Sequence, residues 1–148
     1  MDGYEEAIAA LQRCIDGLHD QAMIAADAYW DFVNAAEDKM TGFEGKSTLQ
    51  LTCMKKGNHL EIKWSAVEWY GPRGKRQRTL KSIPKNTIQF SYTHTSLKKH
   101  AKDWEWETVV ETERKMQLIR KQAHHVVRAI MSLRNAKQVV RMNASRSD

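Results

Sequence analysis

The side chains in this sequence best suited to chemistry are cations. Arg73, Lys75, Arg76 and Arg78 crowd around a glycine-punctuated turn, Gly71-Pro72-Arg73-Gly74, with Lys81 and Lys85 close behind and Lys98 and Lys99 further on. Between residues 71 and 102 there are nine lysines or arginines and no aspartate or glutamate. Guanidinium and ammonium groups in such a run neutralise phosphates and release the counterions condensed on nucleic acid. Two strands projecting this turn would carry it as a wing is carried in a DNA-binding domain, and Gly71 and Gly74 would let the backbone approach a groove. Hairpin tips are often charged simply because they are solvated, but so long an acid-free stretch exceeds what solubility asks for. A second cationic set, Arg114, Lys121 and Arg128, recurs every seven residues, and Arg120, Arg134 and Arg141 repeat similarly with one gap. Each set lies along a line on a helix, either tracking phosphates or flanking a helix pair and answering acids on its partner.

Catalytic constellations are missing from the pattern. His94, His100, His124 and His125 stand at no metal-ligand spacing with cysteines and join no carboxylate motif, and neighbours on a helix such as His124 and His125 point in different directions. There is no phosphate-binding glycine loop, nucleophile elbow or zinc pattern. A nuclease would need clustered acids for a divalent ion, and the basic half is short of them. The expectation is a non-enzyme with no cofactor and no metal. The two cysteines, Cys14 and Cys53, fall on apolar stretches and read as buried free thiols, since a disulfide framework normally uses more. No apolar run approaches the ~18 residues of a membrane span, and the start Met-Asp-Gly-Tyr-Glu-Glu is the reverse of a secretory signal. The expected location is cytoplasmic, without a membrane partner.

The elements that must position the cations are legible from periodicity. The last helix, residues 104–140, has a seam at Val109, Thr112, Met116, Ile119, Ala123, Val126, Ile130, Leu133, Lys137 and Val140, alternating three and four throughout. From Arg114 onward it carries nine bases and no acid before Asp148. The first helix, residues 4–39, has a matching seam at Ile8, Leu11, Ile15, Leu18, Ala22, Ala25, Tyr29, Phe32 and Ala36. Residues 1–40 hold nine acids and two bases, while the whole chain is +6. Asp16, Asp20, Asp27 and Asp31 flank the first seam, where they would face the bases of the last helix. An antiparallel pair within one chain is the economical solution, and a homodimer through the same seams uses the same pattern.

Between the helices the period changes to two. Leu49, Leu51 and Cys53 alternate with polar residues, Gly57-Asn58 supplies a two-residue turn, and Leu60, Ile62, Trp64 and Ala66 resume. That turn sets Cys53 opposite Ile62, Leu51 opposite Trp64 and Leu49 opposite Ala66, all on one face. A third strand over residues 78–83 completes a meander before Pro84, and residues 87–95 alternate as a short fourth strand or an extended loop. Ser96 or Asp103 would cap the last helix, with Glu105, Glu107 and Glu111 favourable in its first turns. Trp64 belongs to the core. Trp106 extends the seam, Phe90 and Tyr92 are expected to pack where helix and sheet join rather than stack on unpaired bases, and Trp69, Tyr70 and Trp104 fit either packing or the surface. The fold class is α+β in one domain over residues 1–148: an acidic helix (1–40), a β-meander with a basic hairpin tip (47–95) and a basic helix (100–142), the helices forming an antiparallel, coiled-coil-like hairpin.

Two stretches, Ser65-Ala-Val-Glu-Trp-Tyr-Gly-Pro-Arg-Gly-Lys-Arg and Trp104-Glu-Trp-Glu-Thr-Val-Val-Glu-Thr-Glu-Arg-Lys, together with the size and order of the elements around them, resemble the MobI family of auxiliary mobilization proteins. Members are encoded by integrative conjugative elements and large conjugative plasmids of gamma-proteobacteria. The resemblance covers nearly the whole chain and implies a cytoplasmic accessory factor that acts at the origin of transfer and assists a separate relaxase; the DNA expected as its partner is double-stranded. It supplies no site residues. The charge pattern alone equally suits a coiled-coil adaptor or chaperone whose basic face meets an acidic protein.

Overall fold

The two apolar seams meet within the chain. In a computed structural model, which describes residues 2–147, helix α1 (Gly3–Lys39) runs antiparallel to helix α3 (Trp106–Ser147). Between them lie a 3-10 turn (Phe43–Gly45), strands β1 (Leu49–Lys56), β2 (His59–Tyr70) and β3 (Gln77–Ser82), a short helix α2 (His94–Lys98) and a second 3-10 turn (Asp103–Glu105). The strands form one antiparallel sheet in the order β1-β2-β3. Asp2 starts α1 by accepting the Glu5 N–H at 2.7 Å, and Glu5 and Glu6 favour the positive end of the helix dipole.

The expected register holds. Cys53 pairs with Ile62, Leu51 with Trp64 and Leu49 with Ala66 across the Gly57-Asn58 turn. Leu49, Leu51, Ile62, Trp64 and Ala66 are buried on the face that meets the helices. Against them pack Ile15, Leu18, Ala22, Ala26, Tyr29 and Val33 of α1, and Val109, Thr112, Met116, Ile119, Ala123 and Ile130 of α3. The Tyr29 ring stands edge-on to Trp64 at 5.1 Å.

Several expectations are corrected. The three-four alternation predicts an α1 seam through Ala25 and Phe32, but burial falls on Ala26 and Val33, and Phe32 stays 41% exposed. A 3.6-residue helix drifts against a 3.5-residue pattern, and here the sheet adds a second contact direction, with Trp30 Nε1 donating to the Leu51 carbonyl at 3.4 Å. For the same reason Cys14 is exposed: the sheet covers one side of the helix pair only, and Cys14 lies off it. Cys53 is half-buried, and burial pushes its thiol up to about 11.

Residues 87–95 form no strand. The Asn86 side chain accepts the N–H groups of Ile88 and Gln89, Asn86 bridges Ser91, and Phe90 takes a left-handed φ of 58°, so the segment turns and then enters α2 capped by Thr93. Such an Asx-turn competes successfully with extension. Neither Ser96 nor Asp103 caps α3, because Ser96 lies inside α2 and Asp103 opens the 3-10 turn from which α3 continues. The α1 acids do not line up against α3 either. Lys137 reaches Glu5 at 2.6 Å and Asp2 at 3.9 Å, but Asp16 pairs with Lys55 of β1. Asp20, Asp27 and Asp31 enter no ion pair among the described residues.

Two acids are buried instead. Glu113 of α3 forms a double hydrogen-bonded pair with Arg120 one heptad on, at 2.8 and 3.0 Å, and both are at most 6% exposed. Arg120 therefore belongs to the interior and to no surface stripe. Glu105 is fully buried, with Oε1 accepting from Ser47 Oγ at 3.0 Å and Tyr29 OH at 3.4 Å and Oε2 without a partner among the described residues. No helix among the described residues is long and apolar enough to cross a membrane.

Candidate nucleic-acid interface

Strands β2 and β3 pair out to Tyr70 and Gln77, leaving residues 71–76 as the loop that joins them. The Lys75 N–H donates to the Pro72 carbonyl at 2.9 Å, closing a turn. Gly71 and Gly74 adopt φ values of 101° and 90°, which L side chains rarely adopt. At Gly71 an added Cβ would also lie 2.9 Å from the Lys75 carbonyl oxygen. Replacing Gly71 with alanine is therefore expected to destabilise the protein by about 2 kcal/mol. A lowered urea midpoint at unchanged slope checks this.

Arg73, Lys75, Arg76 and Arg78 are all exposed, and none enters an ion pair among the described residues. Arg78 pairs across the strands with Trp69, and Leu80 with Val67. Trp69 stands five residues from the buried Trp64, an odd number, so it projects from the opposite face of the sheet. It is 54% exposed, beside the arginines. The odd spacing from Trp64 is the sequence signal that places Trp69 on this face. Tyr70 donates to Glu68 at 2.8 Å, which holds its phenol above the usual range. Lys81 reaches the same carboxylate at 3.7 Å and is partly neutralised.

The other candidate cations are dispersed. Lys85 lies towards the other end of β2, half-buried at a cavity of about 190 Å³ that it shares with His59, Phe90 and His124. Burial first, and then the charge of Arg120, lower its pKa. Lys98 holds its ammonium 5.6 Å above the Trp106 ring, and Lys99 is exposed at the end of α2. Arg114 donates twice to Glu111 within its own helix, at 2.6 and 3.2 Å. Lys121 and Arg128 continue its line along α3 without ion-pair partners among the described residues. Trp104 donates to the Glu44 carbonyl at 2.9 Å, and Trp106 is half-buried against the core. Both thereby serve packing.

The fold thus concentrates at one hairpin an exposed indole and four cations that enter no ion pair among the described residues. Exposed cations of this kind can neutralise phosphates, and an exposed indole is a flat apolar surface of the type that contacts sugars and bases. Among the described residues no three histidines, cysteines or acids are grouped to hold a metal ion. No curated protein and no solved structure matches the chain. A family model described as MobI protein matches residues 18–134, from the first half of α1 through the sheet and its basic hairpin to the second half of α3. That span takes in the sheet, α2 and most of both long helices, and the chain belongs to the MobI family of mobilization proteins.

Proposed function

We infer that this MobI-family protein acts in conjugative transfer by binding duplex DNA at the origin of transfer and assisting a relaxase, itself performing no catalysis. The observation that carries the reading is the β2–β3 hairpin, where Arg73, Lys75, Arg76 and Arg78 stand exposed without acid partners among the described residues. The protein works in the cytoplasm, where both DNA and relaxase are met. Lys81, partly neutralised by Glu68, and Lys98 and Lys99 at the end of α2 supply weaker attraction that salt screens.

Titration of the protein against duplex containing its element's transfer origin, and against scrambled duplex, across a salt series tests the reading. Affinity should fall steeply with salt on both and favour the origin. Replacing the four hairpin cations with alanine should reduce the salt slope by about 3 to 4 and weaken binding about thirtyfold or more. Unaltered binding by that variant overturns the hairpin assignment. No binding to either duplex at moderate salt favours the adaptor that meets an acidic protein. Co-purification with the relaxase, with and without origin DNA, tests the partner.

A further inference from the structure

We propose that the face of the helix pair opposite the sheet is a homodimer interface, closing two copies of this chain into a four-helix bundle. The sheet covers one side of the pair, through Trp30 to the Leu51 carbonyl and Arg120 to the Ile62 carbonyl. The other side is an open groove between α1 and α3, lined by Gln21, Ile24, Ala28, Lys115, Leu118 and Gln122. Ile24 is 71% exposed and Leu118 51%, the largest apolar side chains there. A second apolar hollow follows the same two helices at their far end, around Tyr4, Leu133 and Val140.

Charge decides the occupant. Asp20, Asp27 and Asp31 stand on the side of α1 turned away from the core, since Asp20 is two residues from both Leu18 and Ala22. They make no ion pair among the described residues. Lys121 and Arg128 stand likewise on the outer side of α3, with Arg114 on the same line. Outside the groove's own lining, acids without ion-pair partners among the described residues thus stand beyond Ile24, and bases stand beyond Leu118. The Lys137–Glu5 pair and the Ile24–Leu118 groove fix the antiparallel offset of the helices, so Asp20 lies level with Lys121 and Asp27 level with Arg114.

A two-fold axis parallel to the helices lays α1 of one copy over α3 of the other. They run antiparallel at the same level, and the acid flank comes beside the base flank twice over. An axis across the helices would set acid flank against acid flank. The first arrangement buries Ile24 and Leu118 at the centre and places each Asp20 beside Lys121 of the other copy, and each Asp27 beside Arg114. The seams themselves remain paired within each chain, so this dimer is a different one from the seam-exchanged form that periodicity alone would allow. It does not rest on the DNA-binding reading.

Sedimentation equilibrium of the full chain in reducing buffer without DNA is the test, carried to about 100 µM because assembly follows mass action. A dimer is expected. Ile24→Arg should weaken it at least about a hundredfold while leaving the helical circular dichroism unchanged, since a central apolar contact is replaced by a charge. The variant Asp20→Lys/Asp27→Lys and the variant Arg114→Asp/Lys121→Asp should each be monomeric, and an equimolar mixture of the two should regain dimers. A monomeric wild type overturns the proposal and leaves the groove to another protein. A dimer untouched by Ile24→Arg refutes this face, and no recovery in the mixture refutes the two-fold arrangement.

Discussion

Replacing Glu113 with alanine is expected to destabilise this protein by about 3–5 kcal/mol, the usual consequence of leaving a buried charge without its partner. The carboxylate accepts four hydrogen bonds: Arg120 at 2.8 and 3.0 Å, Trp64 Nε1 at 3.0 Å and the Tyr92 N–H at 2.9 Å. Arg120 in turn donates to the carbonyls of Ile62 in β2 and Phe90 in the connecting segment. One ion pair therefore ties α3 to the sheet and to the segment between β3 and α2. Removing the acid strands a guanidinium, an indole N–H and a backbone N–H inside the protein, and each unmet donor adds its own desolvation penalty. At this chain length the melting temperature should fall by about 10 °C or more. The double variant Glu113→Leu/Arg120→Met should recover much of the loss, because apolar groups of similar volume remove the donors' demand along with the pair. A single substitution costing under about 1 kcal/mol would show that water reaches the site and that the pair is not sealed.

The second large effect depends on pH. Glu105 is held up to about 7, chiefly by burial; the Ser47 and Tyr29 hydroxyls and the Lys102 charge act against this, while Glu37 reinforces it. A raised carboxyl pKa means that the folded state binds the proton more tightly than the unfolded one. Below the unfolded value both states are protonated and there is no penalty. As pH rises from about 4.5 through 7 the unfolded chain ionises first, and stability is lost until the folded group ionises too. Integrated, the loss is about 3 kcal/mol, nearly complete by pH 8. Glu105→Gln keeps a neutral polar group of the same shape, so its stability should change little over that window and exceed the wild type's at pH 8. Urea unfolding at pH 5 and pH 8 decides the matter. Parallel pH dependence in both proteins would mean that another group is responsible.

These two acids mark where the one-dimensional pattern stops being informative. Glu113 and Arg120 are seven residues apart, and helical geometry alone puts them on one face of α3. Whether that face meets water or a wall depends on β2 and on residues 83–93, which come against it only when the chain has folded. Arg120 thus looked like one more member of a basic stripe. Glu105 looked like a favourable acid at a helix start, and becomes a buried acid because Ser47 and Tyr29, remote in sequence, close over it. The hairpin cations were readable because a turn bounded by glycines and strands has nothing to pack against, so its charges stay at the surface in any fold. Only the paired structure could say that Trp69 stands beside Arg78 and that Glu68 takes Lys81 partly out of play.

By itself the sequence determined whatever local geometry imposes. Two long seams needed partner helices, an alternation of period two about a Gly-Asn turn admitted a single register with one apolar face, and the basic tip followed from its acid-free composition. Tertiary structure alone decided which side of each helix the sheet would cover. That choice buried Ala26 and Val33 in place of Ala25 and Phe32, left Cys14, Ile24 and Leu118 open, and left Asp20, Asp27 and Asp31 of α1 without ion-pair partners among the described residues. Periodicity describes a helix by its own axis, but burial is set by neighbours approaching from particular directions, and those directions exist only once distant segments have met.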